Sequence, residues 1–176
     1  MKLQMASSAA LAALLLVGCD KHPLEQGEYR LAIPVGSTID DRCGLTPDGG
    51  LLWNGTLASS GEVVSMAYAL PGTEATNGLG LFGKYKSQVF GKPDSFTIDG
   101  TANHTTATLR DASRTEFTCS ADFLQIHLEG DVGSSSQFSG TIRIAYTLSP
   151  TGTQDSRCPQ NPTCELAAPV IATLVQ

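Results

Sequence analysis

The side chains best able to do chemistry in this chain are five cysteines, three histidines and one pair of adjacent acids, Asp40-Asp41. Four cysteines, Cys43, Cys119, Cys158 and Cys164, are spread over the body of the chain, while Cys19 stands apart near its start. An even set of four suits two disulfides in an oxidising compartment. Of the three pairings open to them, the expected one is Cys43–Cys119 with Cys158–Cys164. The second pair closes Cys158-Pro-Gln-Asn-Pro-Thr-Cys164, whose prolines favour a turn. The first cross-links a long loop, worth up to about 4–5 kcal/mol in the chain-entropy account. Zinc fits poorly, because five residues separate Cys158 from Cys164 and no histidine lies near them. Paired cysteines also leave no thiolate nucleophile.

The other groups make no constellation in sequence. Asp40-Asp41 precedes Cys43 in a loop-like stretch. Two carboxylates can hold a cation or share a proton, but no EF-hand spacing surrounds them, so the pair reads as solvated. His127 falls on the polar phase of its segment, between Gln125 and Glu129, and His104 lies near a turn. Metal or acid–base chemistry requires these groups to converge in space. No serine sits in G-x-S-x-G. Gly78-Leu79-Gly80 and Gly83 occur in a strand-like setting rather than before a helix, so they mark bends and not a phosphate cradle. Asn54-Gly55-Thr56 and Asn103-His104-Thr105 match glycosylation triplets, which arise by chance. No catalytic residue, metal ligand or cofactor site is expected, and the chain reads as a non-enzyme.

Cys19 has a different setting. Lys2 is the only early charge, the run from Leu3 to Gly18 is uncharged, and its apolar centre is Ala9 to Val17. That is the layout of a secretory signal. Leu16-Val17-Gly18-Cys19 follows where cleavage falls, and Asp20-Lys21-His22 then ends the apolar run short of the ~20 residues a membrane span needs. These nineteen residues resemble the signal and lipobox of bacterial lipoproteins. The resemblance implies that residues 1–18 are removed and that Cys19 becomes the first residue, carrying at least two acyl chains, enough for a stable anchor. Residues 19–27 are then expected as a lipidated tether and 28–176 as a single β domain. Eight residues, Asp20 to Gly27, reach at most about 28 Å. Asp20 resembles the inner-membrane retention signal of enteric bacteria, a rule that differs between bacterial groups, so inner versus outer membrane stays open.

Removing residues 1–18 takes away one positive charge, so the net charge of −6 becomes −7. Nucleic acid needs clustered cations, and so does docking on anionic headgroups; both are disfavoured. Period-two alternation dominates from residue 28 onward. Tyr29, Leu31, Ile33 and Val35 share one phase; Leu51 to Leu57 and Val64 to Leu70 flank the turn at Ser59-Ser60-Gly61 as a hairpin. Leu79 to Phe90, Phe96 to Ile98 and Thr105 to Leu109 read as further strands, and Thr141–Leu148 is the cleanest. Phe117, Cys119 and Ala121 run out of phase with Leu124, Ile126 and Leu128, which predicts a bulge or corner near Phe123. Ala168 to Val175 forms the last strand and is placed to seal against the first. The fold expected is all-β: an antiparallel up-and-down barrel, lipocalin-like in general shape, or a β-sandwich, of about 8–10 strands. The expected role is a lipid-anchored, non-enzymatic binding module of the bacterial cell envelope, taking a small apolar ligand or an envelope protein. A structural or accessory subunit, or a protein inhibitor in an envelope complex, is the alternative. A hydrolase requires His104, His127 or Asp40-Asp41 to meet in one pocket.

Overall fold

Alternating apolar and polar residues build a single antiparallel sheet. The computed structural model describes residues 23–42, 51–68, 79–89, 92–110, 113, 115–149, 155–158 and 163–175. Residues 1–22, with the leader, Cys19 and His22, lie outside the described residues, as does Cys43. Among the described residues the strands are β1 (Gly27–Ala32), β2 (Asp40–Asp41), β3 (Leu51–Ser60), β4 (Val63–Tyr68), β5 (Leu79–Val89), β6 (Lys92–Arg110), β7 (Glu116–Ser134), β8 (Gln137–Leu148) and β9 (Thr163–Leu174). No described helix is long and apolar enough to cross a membrane.

The strand order is β1-β3-β4-β5-β6-β7-β8-β9, with β1 pairing back onto β9 and β2 adding to the far part of β9. The sheet therefore closes in a ring. Tyr29 opposite Leu174 and Leu31 opposite Ala172 make the seal between first and last strands that the sequence predicts. Closure satisfies the outward-facing backbone groups that an open sheet leaves at its edges. The predicted hairpin is β3–β4, turning at Gly61, whose φ of 59° is the left-handed conformation that glycine adopts without strain. The predicted phase change is a bulge: pairing of β7 with β8 shifts register between Ala121 and Phe123. Cys119 and Ala121 below it in sequence, and Leu124 and Ile126 above, all point inward as a result.

The interior is filled by side chains that form one apolar cluster. Towards one end it is aromatic. Tyr29 packs on Phe138 at 5.8 Å between ring centroids, Phe138 on Phe96 at 5.0 Å, and Phe96 on Tyr85 at 6.2 Å. Such tilted and edge-on pairs add about 0.5–1.5 kcal/mol each beyond their buried area. Room for the rings comes from Gly130, where a Cβ would run into both Phe96 and Phe138.

This aromatic end is closed by the chain just before β1. Leu24 is buried, 2% exposed, and its N–H donates to the Tyr85 hydroxyl at 3.1 Å. The Tyr85 hydroxyl also meets Ser59 Oγ at 3.0 Å. The Glu25 N–H donates to the Ser135 carbonyl at 2.7 Å, Gln26 Nε2 to the Ser59 carbonyl at 3.0 Å, and the Tyr29 hydroxyl lies 3.1 Å and 3.0 Å from the Glu25 and Ser135 carbonyls. Burial, then Glu25 and Tyr85, push the Tyr29 phenol up to about 12. Residues 24–26, expected as part of the tether, thus belong to the fold. The pattern missed this because Leu24 is a single apolar residue among Pro23, Glu25 and Gln26, with no period to reveal it.

The opposite end carries a disulfide that corrects both expected pairings. Cys119 of β7 bonds Cys158, with Cα atoms 5.9 Å apart, so neither Cys43–Cys119 nor Cys158–Cys164 forms. The register explains why. Cys119 is on the inward phase at that end of β7, and the turn 155–158 folds over it: the Arg157 guanidinium lies 4.6 Å from the centre of the Phe117 ring. Cys164 is itself disulfide-bonded, to a cysteine outside the described residues. The tight proline loop was a local argument, and the long-range strand pairing overrode it.

Candidate functional site

The interior is occupied, and the buried side chains of the core include no polar or charged residue among those described. Among the described residues the polar and charged side chains therefore lie on outward or partly exposed positions.

Pairing sets one row of outward residues around the wall. Asp40 lies opposite Ala167, Ala167 opposite Arg143, Arg143 opposite His127, His127 opposite Asp99, Asp99 opposite Phe82 and Phe82 opposite Ser65. His127 Nδ1 meets Asp99 Oδ1 at 2.6 Å, and its Nε2 lies 3.5 Å from Glu129 Oε1. Lys86 Nζ donates to the same Glu129 oxygen at 2.8 Å. The Lys86 hydrogen bond and charge, then His127, hold the Glu129 carboxyl below the usual carboxylate range. Beyond it Arg143 Nη1 lies 3.7 Å from Glu165. This is a laced surface network: the exposed carboxylates of Asp99, Glu129 and Glu165 meet the His127 ring, Lys86 and Arg143, and such exposed contacts contribute little stability.

The residues singled out in sequence do not converge. Asp40 stands three strands from His127, about 14 Å at the usual strand spacing. Its carboxylate is taken by Arg42, whose Nη2 donates at 3.1 Å and Nε at 3.3 Å; that bond raises the guanidinium pKa further. His104 is five residues along β6 from Asp99, about 17 Å of strand. It is exposed and adopts φ 51°, a left-handed conformation that histidine shares with asparagine and aspartate more often than other non-glycine residues. Among the described residues no group of three His, Cys, Asp or Glu is placed to hold a metal.

Two surface features went unread in the sequence. The first is a groove of about 210 Å³ lined by Lys86, Ser95, Phe96, Glu129, Asp131 and Thr141 with Gly130 and Gly140. That is below the ~300 Å³ at which pockets enclose a typical small ligand. The second is Phe82, an aromatic ring 66% exposed on the outer face of β5. Its outward neighbours on β3, β4 and β5 include the small residues Thr56, Ala58, Ser65, Ala67 and Gly80, with exposed Val63 and Lys84 diagonal to and beyond it and Asp99 directly opposite on β6. The alternation of β5 sets this outward placement, since Leu81 and Tyr85 point inward. Compared with known proteins, the chain matches no family model and no curated protein.

Proposed function

We propose that the chain is a lipid-anchored, non-enzymatic binding module of the bacterial cell envelope, and that its partner is an envelope protein met on the outer wall. The leader and Leu16-Val17-Gly18-Cys19 support the anchor. The observation that supports the mode of binding is the filled core: with Tyr29, Phe96, Phe138 and Tyr146 each no more than 1% exposed, the interior is already occupied where a small apolar ligand would lie. The wall around Phe82 is the face best suited to a protein contact, because two exposed apolar side chains, Phe82 and Val63, stand together there and a large ring contributes contact area at low entropic cost.

The experiment is cell fractionation joined to photo-crosslinking. Wild-type protein should sediment with membranes and need detergent for release, while Cys19→Ala should become soluble. A photo-reactive amino acid at Phe82 should capture a discrete envelope protein that the same group at Thr106, on the outer part of β6, does not. Cys19→Ala remaining membrane-bound refutes the anchor, and capture equal at both positions refutes the binding face.

A further inference from the structure

The plug formed by Leu24 does more than close the ring; it sets where the lipid can be. We infer that the end of the ring crossed by residues 23–26 faces the bilayer, and that the end carrying Cys119–Cys158 faces away from it. The inference rests on the proposed lipidation of Cys19.

Chain length limits how far the anchored residue can lie from the fold. Leu24 is locked by its own burial and by the Tyr85 hydroxyl, and Glu25 by the Ser135 carbonyl. Five residue steps join Cys19 to Leu24, so the anchored residue lies within about 18 Å of the plug. The end of the ring that shares this plug is defined by the β3–β4 turn at Gly61-Glu62, by Ser134 to Ser136 between β7 and β8, and by the last residues of β9. The opposite end is remote. β7 alone runs 19 residues from Ser134 back to Glu116, about 60 Å of strand and roughly 45 Å of height at the tilt of closed sheets. A tether of at most about 18 Å holds the plug end beside the lipid surface, and the far end, some 45 Å along the ring, points away from it when the ring stands upright on that tether.

Charge on the near end decides how the domain stands there. Glu25, Glu28 and Glu62 are exposed at or beside it. Lys84 and Lys86 are exposed beside them on β5, Lys86 already paired with Glu129, so this end has no cluster of free cations for anionic headgroups and the domain is held by its tether. The wall with Phe82 then stands sideways to the membrane, open to neighbouring proteins, and the disulfide-stapled β6–β7 hairpin reaches furthest outward.

The test uses the purified lipidated protein in phosphatidylcholine vesicles containing a lipid-borne energy acceptor. A donor dye is placed through a non-natural amino acid at Glu62 in one variant and at Thr118, exposed near the far end of β7, in another. Both variants should float with the vesicles and unfold cooperatively like wild type. Energy transfer to the membrane should be several-fold stronger from position 62 than from position 118. Inserting ten Gly/Ser residues between Lys21 and His22 should reduce transfer from position 62. Flotation with equal transfer from both positions, stronger transfer from 118, or transfer from 62 that ignores the longer tether, overturns the orientation while leaving the anchor intact. Wild-type protein that fails to float overturns the anchor and the orientation together.

Discussion

Replacing Leu24 with alanine removes three buried carbons from the one apolar side chain that plugs the aromatic end. At about 0.8 kcal/mol for each buried carbon, the transfer loss is about 2.4 kcal/mol. A cavity adds to this, but the chain at residues 23–26 lies at the end of the ring and can settle inward, so the total should stay near the low end of Leu→Ala costs, about 2–3 kcal/mol. For a domain of this size that lowers Tm by about 5–10 °C. Thermal unfolding followed by circular dichroism reads the shift, and hydrogen exchange reads its locality: the Leu24 amide, protected by the Tyr85 hydroxyl, should lose protection first. The control is Glu25→Ala. Its carboxylate accepts only an exposed hydrogen bond from Ser135 Oγ, so the change should stay within about 0.5 kcal/mol. If Leu24→Ala proves as mild as Glu25→Ala, Leu24 is not a plug and the short tether derived from it is wrong.

Other expectations follow from the same structure. Peptide mapping without reduction should recover Cys119 joined to Cys158, and Cys164 joined to Cys43, since β2 pairs Asp41 with Leu166 and the Arg42 N–H donates to Glu165, leading the chain toward Cys164; recovery of a Cys158–Cys164 peptide would contradict this. Cys119→Ser opens a cross-link of 39 residues and should cost about 4 kcal/mol in denaturant unfolding. Gly130→Ala should destabilise by about 1–3 kcal/mol by forcing a methyl against Phe96 and Phe138, whereas a neutral effect would show that the rings have slack. The Asp155 carboxyl, which takes Arg157 Nη2 at 2.6 Å and the Arg157 N–H at 3.0 Å, is held down from 3.8 to about 2. Because the folded value is depressed, its contribution is present above about pH 4 and is lost as pH falls through about 2; carbon NMR of that carboxyl should show the low midpoint, and an ordinary one sinks the clamp.

Much of the sheet was legible because side-chain period in a strand is two and one face is apolar. Tyr29 and Leu31, Ile142 and Ile144, and the bulge near Phe123 were all readable this way. Closure was legible too, since Ala168 to Val175 was a spare apolar strand with the first strand left to meet. The disulfides were not, because pairing depends on which loops fold over which strand ends; the loop with its two prolines favoured Cys158–Cys164, and the turn at Arg157 over Phe117 took Cys158 elsewhere. The plug was hidden for a related reason. A lone leucine beside prolines and acids has no pattern, and only the aromatic interior with its two phenols shows what it fits. Phe82 went unread because Gly80 and Gly83 blur the alternation of its strand, and its surroundings on β3, β4 and β6 needed the register. His127 read correctly as a surface residue, while its partner Asp99 lies on β6, and Lys86, which pairs with Glu129, lies on β5; both were invisible in sequence.

The most direct measurement is the mass of the N-terminal peptide of the mature protein from membranes. For a lipid-anchored domain the peptide should begin at Cys19, lack residues 1–18 and carry a diacylglyceryl group on the cysteine sulfur. A peptide retaining Met1, or one cleaved elsewhere with an unmodified Cys19 thiol, contradicts it.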